Sequence, residues 1–400
     1  MKKLFTACLI ALLLCALSCA CAEEAKEITE GITFEANARS AEFANMRDDD
    51  FSTYFPLKDK KGYLEVHSEE PVYGIYLMQF EKNVVPLSYD LQVKGSGGEW
   101  ETVAQGGQYL VHWHPLEEGV TEFRIAGTSE ERIRVAELRL YGEGEKPAEL
   151  QDWQTIDKCD LMLLSGHPDD ETLWFAGLLP TYAGERKLRV QVAVMVPTGG
   201  MRKLELLHAI WHSGVTAYPE FIGFVDNNGK TVAGQYAKWR GKNRVLGLVT
   251  EVIRKHQPEV LVTHDENGEY GHGAHRTACA AAKECFKLAA KEKNYPKSAK
   301  KYGAWQIKKL YIHLYKKNQV KCDWNVPLEA FGGKTGYEVA AESFQYHRSQ
   351  VKRGWVLEPD GTVRNNSGEL PYDNSLFGLY ATKVGQDTGT GDFMEHIGEE

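Results

Sequence analysis

The stretch Cys159-Asp-Leu-Met-Leu-Leu-Ser-Gly-His-Pro-Asp-Asp-Glu-Thr-Leu173 joins a nearly continuous apolar run to an imidazole and three carboxylates. Uninterrupted apolar runs are typical of strands that are covered on both faces. Two similar runs follow at 188–196 and 259–263, and helical patterns occupy 202–213, 241–256 and 274–291. Strands that alternate with helices predict an α/β fold with a parallel sheet.

A second polar loop has the same position relative to its strand. The sequence Thr263-His-Asp-Glu-Asn-Gly-Glu-Tyr-Gly-His-Gly-Ala-His275 follows an apolar run and leads into a helical pattern. In a Rossmann-like parallel sheet the carboxyl ends of the strands meet at one edge, where ligands bind. We therefore expect the two loops to face a common crevice.

Together the two loops contain the donor atoms of a hydrolytic zinc site. Such a site needs three protein ligands and one open position, and we predict His167, Asp170 and His275 as the ligands. Asp169 points elsewhere than Asp170 and is predicted as the general base. His272 is predicted to stabilise the oxyanion and to protonate the leaving amine. Taken alone, the first loop fits a helix start, where carboxylates interact favourably with the helix dipole, as well as it fits a metal site. The presence of the second loop at another strand end favours the metal site.

The segment His167-Pro-Asp-Asp-Glu171, followed much later by His272-Gly-Ala-His275, resembles the PIG-L (LmbE-like) family of zinc-dependent N-acetylglucosaminyl deacetylases. The resemblance extends from about Asp160 to the C-terminus and includes Met201-Arg-Lys-Leu-Glu-Leu206. It implies an enzyme, a metal-dependent amidohydrolase that deacetylates an amino sugar. By the same resemblance, Arg202 would bind the substrate and Tyr270 would line the oxyanion side.

The second motif departs from the family pattern. Gly273 and Ala274 stand where Pro and Asp are common. The absent Asp removes a carboxylate that could orient His272 and raise its pKa. We hypothesise that Asp265 or Glu266 takes its place.

Residues 26–145 show a different pattern, in which short alternating runs are separated by glycine-rich turns. This pattern predicts an all-β sandwich. The stretch Ala44-Asn-Met-Arg-Asp-Asp-Asp-Phe51, with the late run Val135-Ala-Glu-Leu-Arg-Leu-Tyr141, resembles discoidin-like, galactose-binding-like domains. That resemblance implies carbohydrate binding and makes Asp48, Asp49 and Asp50 a candidate Ca²⁺ site, with a solvated turn as the alternative. Residues 146–158 are predicted as a linker, and residues 159–400 as the deacetylase domain.

The net charge and the pattern of the first residues limit the binding partners and the cellular location that the sequence predicts. The 400-residue chain has a net charge of -9 with scattered basic residues, which argues against nucleic acid or an anionic membrane as the main partner. Residues 1–22 combine two lysines, an apolar run and a small-residue end, and are predicted as a signal peptide cleaved near Ala22. No later run is long enough to predict a transmembrane helix. We expect a secreted or extracytoplasmic protein. A lipid anchor at Cys19 or Cys21 is the less favoured alternative.

Four cysteines follow the predicted signal peptide and lack CxxC spacing. Buried free thiols, or one disulfide bridge, are the expected states. The four are Cys159, Cys279, Cys285 and Cys322.

Two other functions fit the same residues. One is a zinc amidase that acts on a non-sugar N-acyl compound, and the other is a glycan-binding protein that has lost catalysis and keeps zinc for structure. Structural zinc normally has four protein ligands, whereas these loops supply three, which favours catalysis. Nitrogen and oxygen ligands bind several divalent ions, so Fe²⁺ is an alternative to Zn²⁺.

Overall fold

A computed structural model of the chain describes residues 23–38, 42–58 and 61–398. The predicted signal peptide at 1–22 lies outside these described residues. Within the described ranges, no helix combines the length and the apolar character needed to cross a membrane.

The N-terminal region, residues 23–145, is all-β, as predicted, and its strands pair antiparallel. One short 3-10 helix, Phe43–Met46, accompanies them. The seven strands are Thr33–Ala36 (β1), Phe55–Pro56 (β2), Tyr63–Gln79 (β3), Tyr89–Lys94 (β4), Trp100–Gly106 (β5), Val111–Gly127 (β6) and Arg134–Tyr141 (β7). Their order is β2-β7-β3-β6-β4-β5, with β1 paired to β3.

Two long strands hold this region together. β3 and β6 each contain 17 residues and pair along most of their length. The cross-strand partners Leu64 and Ile125, and Val66 and Phe123, are fully buried. Both strands continue through an irregularity in their pairing, and the strands of this region are joined in one hydrogen-bonded array. The arrangement of these strands as a sandwich stays a prediction.

The C-terminal region, residues 159–398, alternates strands and helices before a series of short strands. Its strands are Leu161–Ser165 (β8), Val190–Val194 (β9), Glu220–Phe221 (β10), Val260–Thr263 (β11), Lys309–His313 (β12), Gln319–Lys321 (β13), Pro327–Leu328 (β14), Lys334–Thr335 (β15), Val356–Leu357 (β16), Val363–Asn365 (β17), Gly368–Glu369 (β18) and Leu376–Thr382 (β19). Its α-helices are Asp170–Leu173 (α1), Gly199–His212 (α2), Val232–Lys238 (α3), Lys242–His256 (α4), Gly273–Leu288 (α5), Pro296–Tyr302 (α6), Gly336–Phe344 (α7) and Arg348–Val351 (α8). A π-helix, Pro180–Glu185, and a 3-10 helix, Glu329–Phe331, complete this region.

The main sheet of this region has the order β10-β9-β8-β11-β12-β19-β13. The first five strands are parallel, as predicted. The last two are antiparallel, because the chain returns as β19 beside β12, and the sheet is therefore mixed. The three predicted helices are observed as α2, α4 and α5, each beginning within three residues of its predicted start.

One apolar core extends across both regions. Tyr76 and Met78 of β3 belong to the same buried cluster as Trp174 of the C-terminal region. Leu150 and Trp153, in the predicted linker, are buried in this cluster as well. Removing these large side chains from water favours a fixed arrangement, so the segment 146–158 is a packed connection and not a free linker.

The four cysteines beyond the predicted signal peptide are buried free thiols. Burial raises the pKa of the Cys159 and Cys285 thiols. Neither thiol is therefore a nucleophile at neutral pH.

Two histidines of β6 lie in a buried environment. His114 is 6% exposed and its Nε2 lies 2.8 Å from the Tyr89 hydroxyl. His112 accepts the backbone N–H of Tyr109 through Nε2. Because His112 and His114 flank Trp113 and share one face of a predicted strand, the sequence favours surface positions over a metal site for both. For His114 the surface position is wrong. Burial lowers the pKa of both rings to about 4.

We expect these histidines to make the protein sensitive to acid. Unfolded rings bind protons near a pKa of about 6.5, whereas the folded rings stay neutral until about pH 4. The stability present above pH 6.5 is therefore lost progressively as the pH falls. His114→Gln should reduce the decline of the unfolding temperature between pH 7 and pH 4.5, measured by scanning calorimetry. His67→Gln, at a partly exposed position of β3, is the control, and equal declines in both variants would contradict the assignment.

Candidate metal centre

Two loops converge at the carboxyl edge of the parallel sheet. β8 and β11 are neighbours in parallel register, so the loops that follow them leave the sheet side by side. The first loop leads into α1 at Asp170, and the second leads into α5 at Gly273. Gly166 permits their close approach, because a Cβ there would lie 2.8 Å from His275 Cδ2 and 2.9 Å from Asp170 Oδ2.

The three predicted ligands, His167, Asp170 and His275, lie together and are buried. Nδ1 of His167 is 3.3 Å from Nε2 of His275. Asp170 places one carboxylate oxygen 3.5 Å from His167 Nδ1 and the other 3.2 Å from His275 Nε2. A tetrahedral zinc ion with ligand bonds of about 2.0–2.1 Å needs ligand atoms roughly 3.3–3.4 Å apart. The nitrogen and oxygen donors of the three side chains therefore suit one small divalent ion, although the two Asp170 distances involve different oxygens.

The carboxylate of Glu269 orients His275. Glu269 Oε2 lies 2.7 Å from His275 Nδ1, so this nitrogen donates and Nε2 keeps its lone pair for an ion. Glu269 also accepts from His264 at 3.1 Å and from His313 at 2.8 Å. Burial alone would raise the pKa of Glu269, but these three histidines hold it well below its usual range. The carboxylate is thus ionised and fully paired.

His264 is close enough to be considered as a rival ligand, because Asp170, His264 and His275 offer atoms within 4.8 Å of one another. However, His264 Nε2 accepts the backbone N–H of Gly166 at 2.9 Å, and its Nδ1 faces Glu269. Its Nε2 also lies 3.3 Å from Asp170 Oδ2, so both ring nitrogens have protein partners, which favours a supporting role for His264 over a role as ligand.

The predicted base, Asp169, lies beside the ligands and contacts Arg202. Its backbone φ is 116°, a region that non-glycine residues rarely adopt. Asp169 Oδ1 is 2.9 Å from Arg202 Nη2, and Arg202 also donates to the carbonyl of Pro168. Burial raises the pKa of Asp169 to about 6, against the lowering effect of Arg202. The carboxylate is therefore ionised at neutral pH and basic enough to accept a proton.

A buried pair of side chains, Glu171 and His347, supports the backbone of Asp169. The backbone N–H of Asp169 donates to Glu171 Oε2 at 2.9 Å, and Glu171 Oε1 lies 2.5 Å from His347 Nε2. Both side chains of the pair are fully buried. His347 comes from the distant start of α8, and no pattern in the sequence connects it with Glu171.

His272 caps the N-terminus of α5 and lies against the ligands. Its Nδ1 accepts the N–H of Ala274 at 3.3 Å, which leaves the ring proton on Nε2. The nitrogens of His167, His272 and His275 lie within 4.8 Å of one another. Burial, with the neighbouring His275 and His167, lowers the pKa of His272 to about 4. The ring is thus neutral at neutral pH and can donate one hydrogen bond from Nε2.

The structure does not support the hypothesis that Asp265 or Glu266 orients His272. Asp265 accepts a backbone N–H of its own loop at 3.1 Å, and Glu266 pairs with Lys283 at 2.5 Å. Burial lowers the pKa of His272, and the carboxylates that act against this lowering are Asp170 and, more weakly, Asp226. The replacement of the family's Pro and Asp by Gly and Ala therefore leaves His272 without a carboxylate partner in its own loop.

Asp226 and Glu269 are site residues that the sequence analysis missed. Asp226 Oδ1 lies 3.4 Å from His167 Nε2, and this contact lowers the pKa of Asp226 to about 2. Asp226 follows the two-residue strand β10, which is too short to give an apolar pattern. Glu269 lies inside the second loop, and the rule that a ligating histidine needs a carboxylate partner could have identified it.

The structure also places the two predicted substrate residues. Tyr270 is 44% exposed, and its ring centroid lies 5.4 Å from that of His275 and 5.7 Å from that of His272. Trp174 and Trp355 stand beside Tyr270. Arg202 reaches the centre through Asp169. Substrate contact by either residue stays a prediction.

The candidate calcium loop has other contacts. Asp48 accepts from the Asp50 backbone and the Thr53 hydroxyl, and Asp50 accepts from Ser52. Asp49 pairs with the Arg139 side chain. Each of the three carboxylates thus has a protein partner, which favours the alternative of a structured turn.

Comparison with known proteins identifies the C-terminal region. Residues 162–286 match the family model PIG-L, described as GlcNAc-PI de-N-acetylase. A 1D-myo-inositol 2-acetamido-2-deoxy-alpha-D-glucopyranoside deacetylase of Mycobacteroides abscessus is 29% identical, over 38% of this chain and 58% of its own length. A mycothiol S-conjugate amidase of Streptomyces coelicolor is 30% identical, over 39% of this chain and 61% of its own length. The chain thus spans less than two thirds of the length of either curated relative.

Among solved structures, the N,N'-diacetylchitobiose deacetylase of Pyrococcus horikoshii, complexed with its inhibitor MPG, aligns over 48% of this chain and 71% of its own, with 16% identity and a TM-score of 0.38. The match to the family model includes both loops of the candidate metal centre. Residues 162–286 of the chain are thus similar to the PIG-L family.

Proposed function

We propose that this protein is a zinc-dependent hydrolase that removes the acetyl group from an N-acetylated amino sugar. The observation that carries the proposal is that His275 Nε2 lies 3.3 Å from His167 Nδ1 and 3.2 Å from one oxygen of Asp170, whose other oxygen lies 3.5 Å from His167 Nδ1. Three nitrogen and oxygen ligands with one open position are typical of catalytic zinc. The relative that is named as an acetamido-sugar deacetylase supports the substrate class.

Zinc bound by these ligands would polarise the acyl carbonyl and lower the pKa of a coordinated water towards about 7. Asp169 accepts the proton that the attacking water loses, because its carboxylate is ionised at neutral pH. Arg202 holds this carboxylate in position. With a pKa of about 6, Asp169 can then deliver the proton to the nitrogen of the leaving amine, which completes the hydrolysis.

His272 serves the oxyanion and not the leaving group. Its Nε2–H is available, because Nδ1 accepts the N–H of Ala274. A pKa of about 4 means that the ring carries no extra proton to give at neutral pH. A neutral donor that is already in place can stabilise the negative charge that develops on the carbonyl oxygen.

We also propose that the N-terminal region binds carbohydrate and that the protein acts outside the cytoplasm. The first proposal rests on the antiparallel all-β region, and the step from architecture to binding is an analogy. The second proposal rests on the pattern of residues 1–22.

A zinc amidase on another N-acyl compound is the second candidate function. The relative named mycothiol S-conjugate amidase favours it. A glycan-binding protein with structural zinc is disfavoured by the three-ligand donor set and by the buried, ionised Asp169 beside it.

The roles of base and ligand can be separated by two substitutions. Asp169→Asn should keep bound zinc and lose at least about a hundredfold in acetate release, because the amide cannot accept the proton. His275→Ala should lose both zinc and activity. Zinc is measured by elemental analysis after gel filtration, and acetate by a coupled assay. Unchanged turnover in Asp169→Asn would refute the assignment of the base.

Glu269→Gln should weaken zinc binding by roughly 10–100-fold, because a neutral amide holds the His275 tautomer less firmly. Competition with a chromogenic chelator measures the affinity, and circular dichroism checks the fold. Glu266→Gln is the matched control, since Glu266 is exposed and pairs with Lys283. Equal zinc affinities in the two variants would contradict the orienting role of Glu269.

A substrate panel should distinguish the candidate functions. The zinc-loaded protein is expected to release acetate from N-acetylglucosamine and its oligomers faster than from N-acetylated amino acids or cysteine conjugates. The reverse order would support the amidase. Binding of N-acetylglucosamine oligomers without any acetate release would support the glycan-binding alternative.

A further inference from the structure

A cavity of about 770 Å³ lies beside the candidate metal centre and between the two regions. Two of its lining residues contact the centre directly. Arg202 pairs with Asp169, and Asp226 lies 3.4 Å from His167. The cavity is therefore within reach of the substrate that we propose for the centre.

The N-terminal region supplies part of the cavity wall. Lys82, Asn83 and Val84, in the loop after β3, line it together with residues of the C-terminal region. Three contacts fix this loop. The buried Lys203 of α2 donates to the backbone carbonyl of Asn83, and a Cβ on Gly200 would lie 2.9 Å from the Phe80 ring. A Cβ on Gly223 would likewise lie 3.0 Å from Val84.

The charge of the cavity is opposite to that of the whole protein. The chain carries a net charge of -9, yet the cavity is lined by four basic side chains and by one carboxylate, that of Asp226. Arg202 is neutralised by Asp169. The other three bases are exposed, and in the part of the chain that the structure describes none of them forms an ion pair with a protein carboxylate. They are Lys82, Arg244 and Arg353.

Two local features contribute to the positive potential in the cavity. The Arg244 guanidinium lies 5.3 Å from the ring centroid of Phe224, which also lines the cavity. The N-terminus of α2 opens into the same space through Thr198 and Gly199, and no side chain caps it. Free N–H groups at the start of a 14-residue helix add to the attraction for an anion.

We propose that this cavity is a subsite for an anionic group on the substrate, a phosphate, sulfate or carboxylate carried on or next to the N-acetylated sugar. Lys82 of the N-terminal region, with Arg244 and Arg353 of the C-terminal region, binds the group. The inference rests on the proposed function for the position of the acetamido group. The N-terminal region is then a part of the substrate site itself, in addition to any separate carbohydrate-binding role.

Turnover of charged and neutral sugars tests the subsite. The zinc-loaded full chain is assayed for acetate release from N-acetylglucosamine, its 6-phosphate, its 6-sulfate and N-acetylmuramic acid. We expect kcat/KM to be roughly tenfold higher or more for at least one anionic sugar than for the neutral one. The best of the three identifies the kind of anion. Equal kcat/KM for all four sugars would overturn the proposal and leave the deacetylase function intact.

Substitutions that remove positive charge test whether these side chains bind the anionic group. Lys82→Gln and Arg353→Gln should each reduce the ratio of anionic to neutral kcat/KM severalfold, and the double variant should bring it close to one. Lys297→Gln, at an exposed position of α6, is the matched control and should leave the ratio unchanged. A ratio that is unchanged in the double variant would exclude these side chains from the subsite.

Direct binding separates the two proposals. If no sugar is hydrolysed, isothermal titration calorimetry with N-acetylglucosamine 6-phosphate and with N-acetylglucosamine still tests the subsite. Tighter binding of the phosphate that is lost in Lys82→Gln would support the anionic subsite while the proposed hydrolysis fails. Equal or absent binding of both sugars would overturn the subsite as well.

Discussion

The candidate centre depends on one buried negative charge, the carboxylate of Glu269. A carboxylate removed from water is stable only when it is paired and hydrogen-bonded. Glu269 meets this requirement through three histidines that come from β12, from the end of β11 and from α5. The same contacts fix the tautomer of His275 and direct its other nitrogen towards Asp170. The pairing that stabilises the buried charge therefore also brings the predicted metal ligands together.

The second constraint is the core that the two regions share. Leu150 and Trp153 pack into a cluster that also contains residues of β3 and of the C-terminal region. This packing sets the loop after β3 against α2, where Lys203 binds the Asn83 carbonyl. As a result, the N-terminal region forms a wall of the cavity beside the centre. A module on a flexible linker could not contribute a side chain at a defined place.

Several features could be predicted because they depend on local patterns. The apolar runs identified three of the five parallel strands, β8, β9 and β11, and the helical periodicity located α2, α4 and α5. The spacing of His167 and Asp170, and the position of His275 after a second strand, identified a set of ligands that the fold brings together. Features that depend on distant contacts were missed. A carboxylate partner of His272 was sought in its own loop, whereas the carboxylates that oppose the lowering of its pKa by burial are Asp170 of the first loop and Asp226 after β10.

The sequence by itself determined the order of the elements, the two loops and the chemical types of the donor atoms, because strand and helix patterns and motif spacing are properties of neighbouring residues. Only the tertiary structure decided which nitrogen of each histidine is free, which carboxylate supports it, and that Leu150 and Trp153 of the segment 146–158 are buried. These outcomes depend on burial and on hydrogen bonds between residues that are far apart in the chain, such as Glu171 and His347. Contacts of that kind leave no period or spacing in the sequence from which they could be read.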